Sequence, residues 1–342
     1  MDRKISISLY ITFSLISSTF CSMFANRYMD ENLPSGFGCI NVSSDHTSLS
    51  GTITVAGHLD YYDNKGDKQP LVWTRVWICD REPDGNDYIH KEIFTDIEGN
   101  FTSGPIDNDD GPDEDGLDIW IYVVAWNWAT QVINENGTRY YARTHMCDDC
   151  PDDTYYMTGE IPEGHGAWMI FSYHSGIAAG WNYLNTTVDY EMPMATACWP
   201  CGDWPCYNPN NGVINLTDWS ASYPDIILHE YGHYVMHTLY GYMPPAMEEH
   251  YINENSDAST AWVEGWANFF PLVVQNDPDL LGWNLETHHW CSAGWDDGDE
   301  VEGRVAGALW DIFDSDDDGY DSFSDGLARA RATSGSTLQR RT

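Results

Sequence analysis

Two histidines and a glutamate stand at the spacing of a metal site, His229-Glu230-x-x-His233. On an α-helix, residues four apart lie on one face and about 6 Å apart along the axis, so both imidazoles can reach one cation. Glu230 projects from the next position round the helix, where it can accept a proton from a water without binding the cation. We therefore predict a catalytic zinc site with His229 and His233 as ligands and Glu230 as the general base.

The residues around this motif predict a helix that ends at Gly241. Ser222 and Asp225 have the spacing of a capping box at its start, and Gly241 suits the position after its end because glycine adopts the left-handed conformation without strain. The residues between them supply apolar faces: Ile226, Ile227, Val235, Met236 and Leu239. The motif is therefore expected on a largely buried helix.

A third zinc ligand has to come from another segment. A catalytic zinc usually takes three protein ligands and leaves a fourth position for water. His237 lies in the same predicted helix, but it is about 12 Å along the axis from His229, too far for three imidazoles to converge. We expect His237 to pack beside the site rather than bind the metal.

Residues 261–270 read Ala-Trp-Val-Glu-Gly-Trp-Ala-Asn-Phe-Phe. They resemble the second zinc-binding helix of gluzincin metallopeptidases, and Trp266 replaces the Phe of the Glu-Gly-Phe-Ala motif in the aminopeptidase-N-like group. The resemblance implies that Glu264 is the third ligand. It also implies that Asn268 stands where thermolysin-like enzymes carry an Asp that holds the first histidine. An Asn can accept that hydrogen bond, but it lacks the charge that makes the imidazole more basic.

A rival third ligand is Glu254. It lies in Asn253-Glu-Asn-Ser-Asp257, which is similar to the Asn-Glu-x-x-Ser-Asp segment of thermolysin-like enzymes but one residue short. The apolar neighbours of Glu264 favour a buried helix, whereas those of Glu254 favour a turn. We therefore prefer Glu264.

The gluzincin resemblance implies a zinc metallopeptidase that acts on a protein or peptide substrate. We favour an endopeptidase over an aminopeptidase, because no segment like the amine-binding Gly-x-Met-Glu-Asn motif precedes the zinc helix. An alternative of another class is a calcium-binding cell-surface or adhesion protein with a vestigial metal site. Glu230 argues against it, since a purely structural zinc needs no base beside its ligands.

Residues 314–325 have the carboxylate pattern of an EF-hand-like calcium loop. Counted from Asp314, carboxylates fall at positions 1, 3, 5 and 12, and Gly319 falls at position 6. We predict a calcium site there, and the alternative is an acidic loop whose charges are only solvated. The predicted ligands are Asp314, Asp316, Asp318, Tyr320 (through its carbonyl) and Asp325.

The predicted fold class is α+β with more than one domain. Strand-like segments and Asp/Gly/Asn turns predict an N-terminal β-sandwich over 40–145. In it, Thr95-Asp-x-x-Gly-x-Phe resembles a turn of transthyretin-like and carboxypeptidase-regulatory-like modules. A linker rich in Asp, Pro and Gly follows over 146–164. Residues 165–342 are expected to form a mostly helical, zincin-like catalytic domain with a small sheet.

Two elements are expected before the zinc helix. The apolar stretch over 167–184 is long enough for one buried helix. Residues 187–196 have strand character. By the gluzincin resemblance this strand would line the cleft and pair with substrate, and Pro193 suits an edge position.

The chain begins like an exported protein. Arg3 and Lys4 precede an apolar run over 5–20, so we predict a signal peptide over 1–25 and a secreted or extracellular surface location, with an uncleaved anchor as the alternative. Without Cys21, eight cysteines remain, including the pairs Cys147/Cys150 and Cys198/Cys201. In an oxidising compartment these favour disulfides over a four-thiolate zinc site.

The acidic composition limits the partners. The formal net charge is −39 at pH 7. Such a charge repels phosphate backbones and anionic lipids, so it excludes nucleic acid and an anionic membrane surface as natural partners. No stretch after the N-terminus is apolar enough to span a bilayer, so we expect no membrane insertion beyond a possible N-terminal anchor.

Overall fold

The structure is a computed structural model that describes residues 51–81, 87–109, 116–144, 146–162, 164–247, 249–286 and 298–314. The predicted signal peptide over 1–25 lies outside these residues. So do four of the five predicted calcium ligands, Asp316, Asp318, Tyr320 and Asp325. The fifth, Asp314, directly follows the last helix.

Strands occupy the first half of the described chain and helices most of the second half. The strands are β1 (Thr52–Tyr62), β2 (Lys68–Pro70), β3 (Arg75–Arg81), β4 (Asp87–Phe94), β5 (Asn100–Asp107), β6 (Ile119–Val124), β7 (Thr130–Ile133), β8 (Tyr141–Arg143), β9 (Thr154–Ile161), β10 (Ala195–Cys198), β11 (Cys206–Asn208), β12 (Val213–Asn215), β13 (Asp279–Leu280) and β14 (Trp283–Asn284). The helices are α1 (Gly166–Phe171), α2 (Ile177–Tyr183), α3 (Pro224–Tyr240), α4 (Ala258–Gln275) and α5 (Glu302–Phe313).

Eight of the first nine strands form two sheets. In one, β1 pairs antiparallel with β2 and β5 and parallel with β9. In the other, the antiparallel order is β4-β3-β6-β8. Side chains of β1 alternate between half-buried and buried, as a strand with one face on the core requires. Every residue of β6 is buried, so both faces of that strand are covered. The sandwich arrangement itself stays a prediction.

The linker predicted over 146–164 is wrong in its second half. Residues 154–161 form β9, which pairs with β1 along eight residues. A further strand from the predicted β-domain, β7, pairs parallel with β10 in a sheet of order β11-β12-β10-β7. Turn residues mark where a chain bends, but strand pairing joins segments far apart in sequence, so the composition change near residue 146 does not divide the sheets.

The helix predicted over 167–184 is two short helices. The Oγ of Ser172 accepts hydrogen bonds from the backbone N–H groups of His174 and Ser175, which competes with helical bonding. A Cβ at Gly176 would lie 2.4 Å from the carbonyl oxygens of Met169 and Ile170, so glycine permits the tight return of the chain.

The expected strand over 187–196 is also misplaced. The observed strand, β10, begins only at Ala195 and is paired on both sides, by β12 and β7. Pro193 therefore does not lie on an edge strand. One edge of this sheet is instead β11, which contacts α3.

The zinc-motif helix α3 begins at Pro224, and the capping box is wrong. Tyr223 is the N-cap and no side chain caps the helix. Proline suits the first helical position because the N–H it lacks would have no helical partner there. Asp225 instead accepts hydrogen bonds from the Gln275 side chain and the Leu281 backbone, which ties α3 to the end of α4. At the other end Gly241 has φ 74°, as expected.

The helices and sheets share one main apolar core. Buried side chains of β1, β3 and β6 belong to the same cluster as those of α1, α2 and α3. A second cluster joins the outer face of α4 to α5. Within the described ranges, no helix combines the length and the apolar character that crossing a membrane requires.

Candidate metal centre

The structure brings the three predicted zinc ligands together. The Nε2 atoms of His229 and His233 lie 3.1 Å apart. Oε2 of Glu264, on the facing helix α4, lies 3.4 Å from the first and 3.3 Å from the second. All three side chains are buried. One carboxylate and two imidazoles with converging donor atoms are a zinc ligand set.

A bound cation would satisfy the polar atoms of this cluster better than hydrogen bonds among them do. Oε2 of Glu264 is buried and has no hydrogen-bond partner among the described residues. Buried carboxylate oxygens without a partner are costly, and a bound cation removes the cost. Across the described part of the chain, this is the one cluster of His, Cys, Asp or Glu with metal-binding spacing.

Asn268 contacts His229, as the gluzincin resemblance implied. The Nδ1 of His229 lies 3.0 Å from Oδ1 of Asn268, one turn after Glu264 on α4. When Nδ1–H donates to this amide oxygen, the lone pair of Nε2 faces the ligand cluster. For the second histidine the matching contact is missing, since Nδ1 of His233 is buried without a partner among the described residues.

Glu230 lies beside the ligands and outside their cluster. It is fully buried, and neither carboxylate oxygen makes a hydrogen bond of good geometry with a described residue. Burial raises the pKa of Glu230 to about 7. His229 opposes this shift, Glu264 adds to it, and the nearby backbone N–H of Tyr207 lowers the pKa slightly. A carboxyl group with a pKa near neutrality can both accept and return a proton.

The residues set aside on sequence grounds are not at the centre. Glu254 is exposed in the turn before α4. His237 packs as expected, with its Nδ1 2.6 Å from the hydroxyl of Tyr207. This contact joins α3 to the edge strand β11. The backbone N–H of Tyr207, in the same strand, lies next to Glu230.

Two further groups near the centre were missed from the sequence. His250 is buried in the loop between α3 and α4, and its Nδ1 lies 2.6 Å from Oε1 of Glu302, the first residue of α5. Its Nε2 lies 3.9 Å from Oε1 of Glu264. Burial tends to lower the pKa of His250, but the two carboxylates outweigh it and the pKa is raised. Neither residue belongs to a recognisable motif. The two lie 52 positions apart in the sequence, so no local spacing pattern connects them.

The described Cys-x-x-Cys pairs are disulfides. Cys147 is bonded to Cys150 and Cys198 to Cys201, each with Cα atoms 5.6 Å apart. This agrees with the preference for disulfides over a four-thiolate zinc site. Cys206 carries a thiol at the start of β11, and burial raises its pKa.

Comparison with known proteins points to the same half of the chain. Residues 185–339 match the family model described as the mycolysin C-terminal domain, a domain of zinc metallopeptidase proteins. The matched segment contains Glu230 and the three clustered side chains, and it is less than half of the chain. The match relates the chain to proteases at the level of the family, and that family is typically zinc-dependent.

Other similarities are more distant. An uncharacterized protein of Archaeoglobus fulgidus is 29% identical over 146 residues, which are 39% of this chain and 39% of that protein. A 9R-lipoxygenase from Cyanothece aligns with a TM-score of 0.21 and 10% identity, over 66% of this chain and 26% of that one. An (S)-allantoin synthase aligns with a TM-score of 0.21 and 16% identity, over 34% of this chain and 42% of that one. Both scores are too low to indicate a shared fold.

Proposed function

We propose that this chain is a secreted or cell-surface zinc metallopeptidase that hydrolyses peptide bonds. The observation that carries the proposal is the convergence of His229, His233 and Glu264 beside a buried carboxylate, Glu230, that takes no part in the cluster. Three ligands leave a fourth position at a zinc ion, which is the arrangement of catalytic rather than structural sites. The mycolysin match supports a protease-related function.

The chemistry follows from the positions of the side chains. A zinc ion held by His229, His233 and Glu264 would polarise the scissile carbonyl and lower the pKa of a bound water toward neutrality. Glu230 accepts the proton of the attacking water and then delivers it to the leaving amine. Burial raises the pKa of Glu230 and so makes its carboxylate a stronger base than an exposed one. Asn268 keeps the ring of His229 in the orientation that presents Nε2.

The edge strand β11 is the element we assign to substrate binding. On one side it pairs with β12, and among the described strands none pairs with its other side. The N–H of Tyr207 in this strand is close enough to Glu230 to lower its pKa. An extended peptide that pairs with the open edge would place a backbone carbonyl near the base. Such pairing needs no free amino terminus, which favours an endopeptidase over an aminopeptidase.

The calcium-binding adhesion protein is not favoured. It gives Glu230 no role, and a protease-related family match does not support it. We keep calcium at residues 314–325 and the N-terminal β-sandwich as proposals for parts of a peptidase. In that case the loop would brace the end of α5, and the sandwich would act as a spacer or surface module.

Metal analysis combined with a Glu230→Gln variant tests the proposal. The purified protein should contain about one zinc per chain and cleave a generic unfolded protein substrate. The variant should keep its zinc and lose nearly all cleavage, because Gln is close in shape but cannot accept the proton. Glu249→Gln, an exposed change of the same type, is the matched control and should cleave normally. Equal cleavage by the wild type and Glu230→Gln would overturn the proposal.

A further inference from the structure

His250 is buried in an otherwise exposed loop. Residues 241–257 connect the two ligand helices, and every other described side chain in this segment is exposed or half-buried. Burying one imidazole next to charged groups costs free energy unless its nitrogens find partners. The partners of the two ring nitrogens therefore explain why this side chain is buried.

Backbone hydrogen bonds fix this loop to the start of α5. The N–H of Gly303 donates to the carbonyl of Ile252 at 2.9 Å, and the N–H of Ser256 donates to the carbonyl of Glu300 at 2.8 Å. These bonds lie on both sides of Glu302 and place its carboxylate opposite His250, with Oε1 2.6 Å from Nδ1. The ring orientation is thus set by structure outside the ligand helices.

The other nitrogen of His250 points at a ligand. Its Nε2 is 3.9 Å from Oε1 of Glu264. The two oxygens of Glu264 are therefore divided: Oε2 faces His229 and His233, and Oε1 faces His250. At this distance the contact is electrostatic rather than a hydrogen bond. It favours the rotation of the carboxylate in which Oε1 faces His250 and Oε2 faces the two other histidines.

We propose that His250 and Glu302 form a positioning pair that orients Glu264 for metal binding, with Nε2–H of His250 directed at Oε1 of Glu264. The proton between Nδ1 and Glu302 can reside on either atom, and Nε2–H remains a donor in both cases. Partners that hydrogen-bond a ligand typically contribute 10- to 100-fold to metal affinity. The inference rests on the metal centre of the proposed function and extends it to residues on two more segments.

A different reading of the same contact makes His250 a fourth ligand. A metal-bound histidine commonly donates its other N–H to a carboxylate, as His250 can to Glu302. The spacing favours the positioning role, because His250 is not among the side chains whose donor atoms all lie within 4.8 Å of one another. The two roles predict different spectra, so the experiment includes both.

The test is equilibrium zinc binding by the full-length protein, measured by competition with a chromophoric chelator. His250→Leu removes the donor and should weaken zinc binding about 10- to 100-fold. His250→Gln keeps an N–H near the Nε2 position and should lie between Leu and the wild type. Glu302→Gln should weaken binding less than His250→Leu, and Glu249→Gln, the exposed neighbour, should match the wild type. Thermal melting of each metal-free protein shows whether it is folded. If His250→Leu does not fold, the zinc affinities of His250→Gln and Glu302→Gln decide.

Cobalt substitution separates the two roles. Saturated with Co²⁺, the wild type and His250→Gln should show the same visible absorption bands, because the ligands are unchanged. Altered bands would make His250 a ligand and overturn the positioning role. Wild-type zinc affinity in a folded His250→Leu would overturn it too and leave the proposed function standing. If the wild-type protein binds no zinc, the inference and the proposed function both fail.

Discussion

The hydrogen bond between His229 and Asn268 offers a quantitative test of the metal centre. It is buried and 3.0 Å long, and it fixes which nitrogen of His229 faces the cluster. Asn268→Leu keeps a similar volume and removes the acceptor, which leaves a buried N–H without a partner. That penalty is about 1–3 kcal/mol. Since 1.4 kcal/mol is a factor of ten, zinc should bind roughly 5- to 150-fold more weakly.

Asn268→Asp should have the opposite effect on affinity. A hydrogen bond to a charged group contributes about 1.5–3 kcal/mol, against about 0.5–1.5 kcal/mol for a neutral one. The gain of about 1 kcal/mol predicts roughly fivefold tighter zinc binding. In the metal-free protein the new carboxylate adds a buried negative charge one helical turn from Glu264, with no cation to balance it. The same variant should therefore melt at a lower temperature than the wild type when zinc is absent.

Both changes are measured by chelator competition at neutral pH, with thermal melting of the metal-free forms as the control for folding. The expected order of zinc affinity is Asp, then Asn, then Leu at position 268. A folded Asn268→Leu protein that binds zinc as tightly as the wild type would refute the reasoning, because the orientation of His229 would then not depend on this contact.

Three further predictions concern stability. Gly265→Ala should lower the free energy of unfolding by about 1–3 kcal/mol in urea titrations, because its Cβ would lie 3.0 Å from the carbonyl oxygen of Glu302, where α4 and α5 meet. Asp257→Ala removes the N-cap of α4 and should cost about 1 kcal/mol. Hydrogen bonds from Thr260 lower the pKa of Asp257, so this difference should be full above the unfolded carboxyl pKa of about 3.9 and vanish as the pH falls through the lower folded value. Added calcium should raise the melting temperature of the wild type but not of Asp316→Ala. An equal rise in both proteins would contradict the predicted calcium site.

Local patterns predicted the parts of the site that lie on single helices. The spacing of His229 and His233 determines their proximity once α3 forms, and Asn268 follows Glu264 by one turn for the same reason. That α4 would face α3 came from a family resemblance and not from any physical property of residues 261–270. The structure adds one reason for the close approach: a Cβ on Gly232 would lie only 3.1 Å from that of Phe270.

The predictions that were wrong concern where a segment begins and which other segment it pairs with. The capping box failed because Pro224 already fits the first helical position, which leaves Asp225 free to accept bonds from α4 and the chain beyond it. The linker failed because β9 pairs with β1, about a hundred residues earlier. Pairing at that distance is decided by the packing of whole faces, which no local pattern records.

The same limit explains why neither His250 nor Glu302 was predicted from the sequence. Both residues contribute to the orientation of Glu264 in the metal centre. The two ligand helices carry all of the recognisable chemistry, yet the carboxylate of Glu264 has two oxygens and a rotatable side chain. No described contact within α4 selects which oxygen of Glu264 faces the histidines. The selection comes from a loop histidine and from the first residue of α5, brought together by backbone bonds that any sequence could make. A metal motif on two helices is therefore incomplete as a description of this site, because the orientation of Glu264, the proposed third ligand, depends on α5.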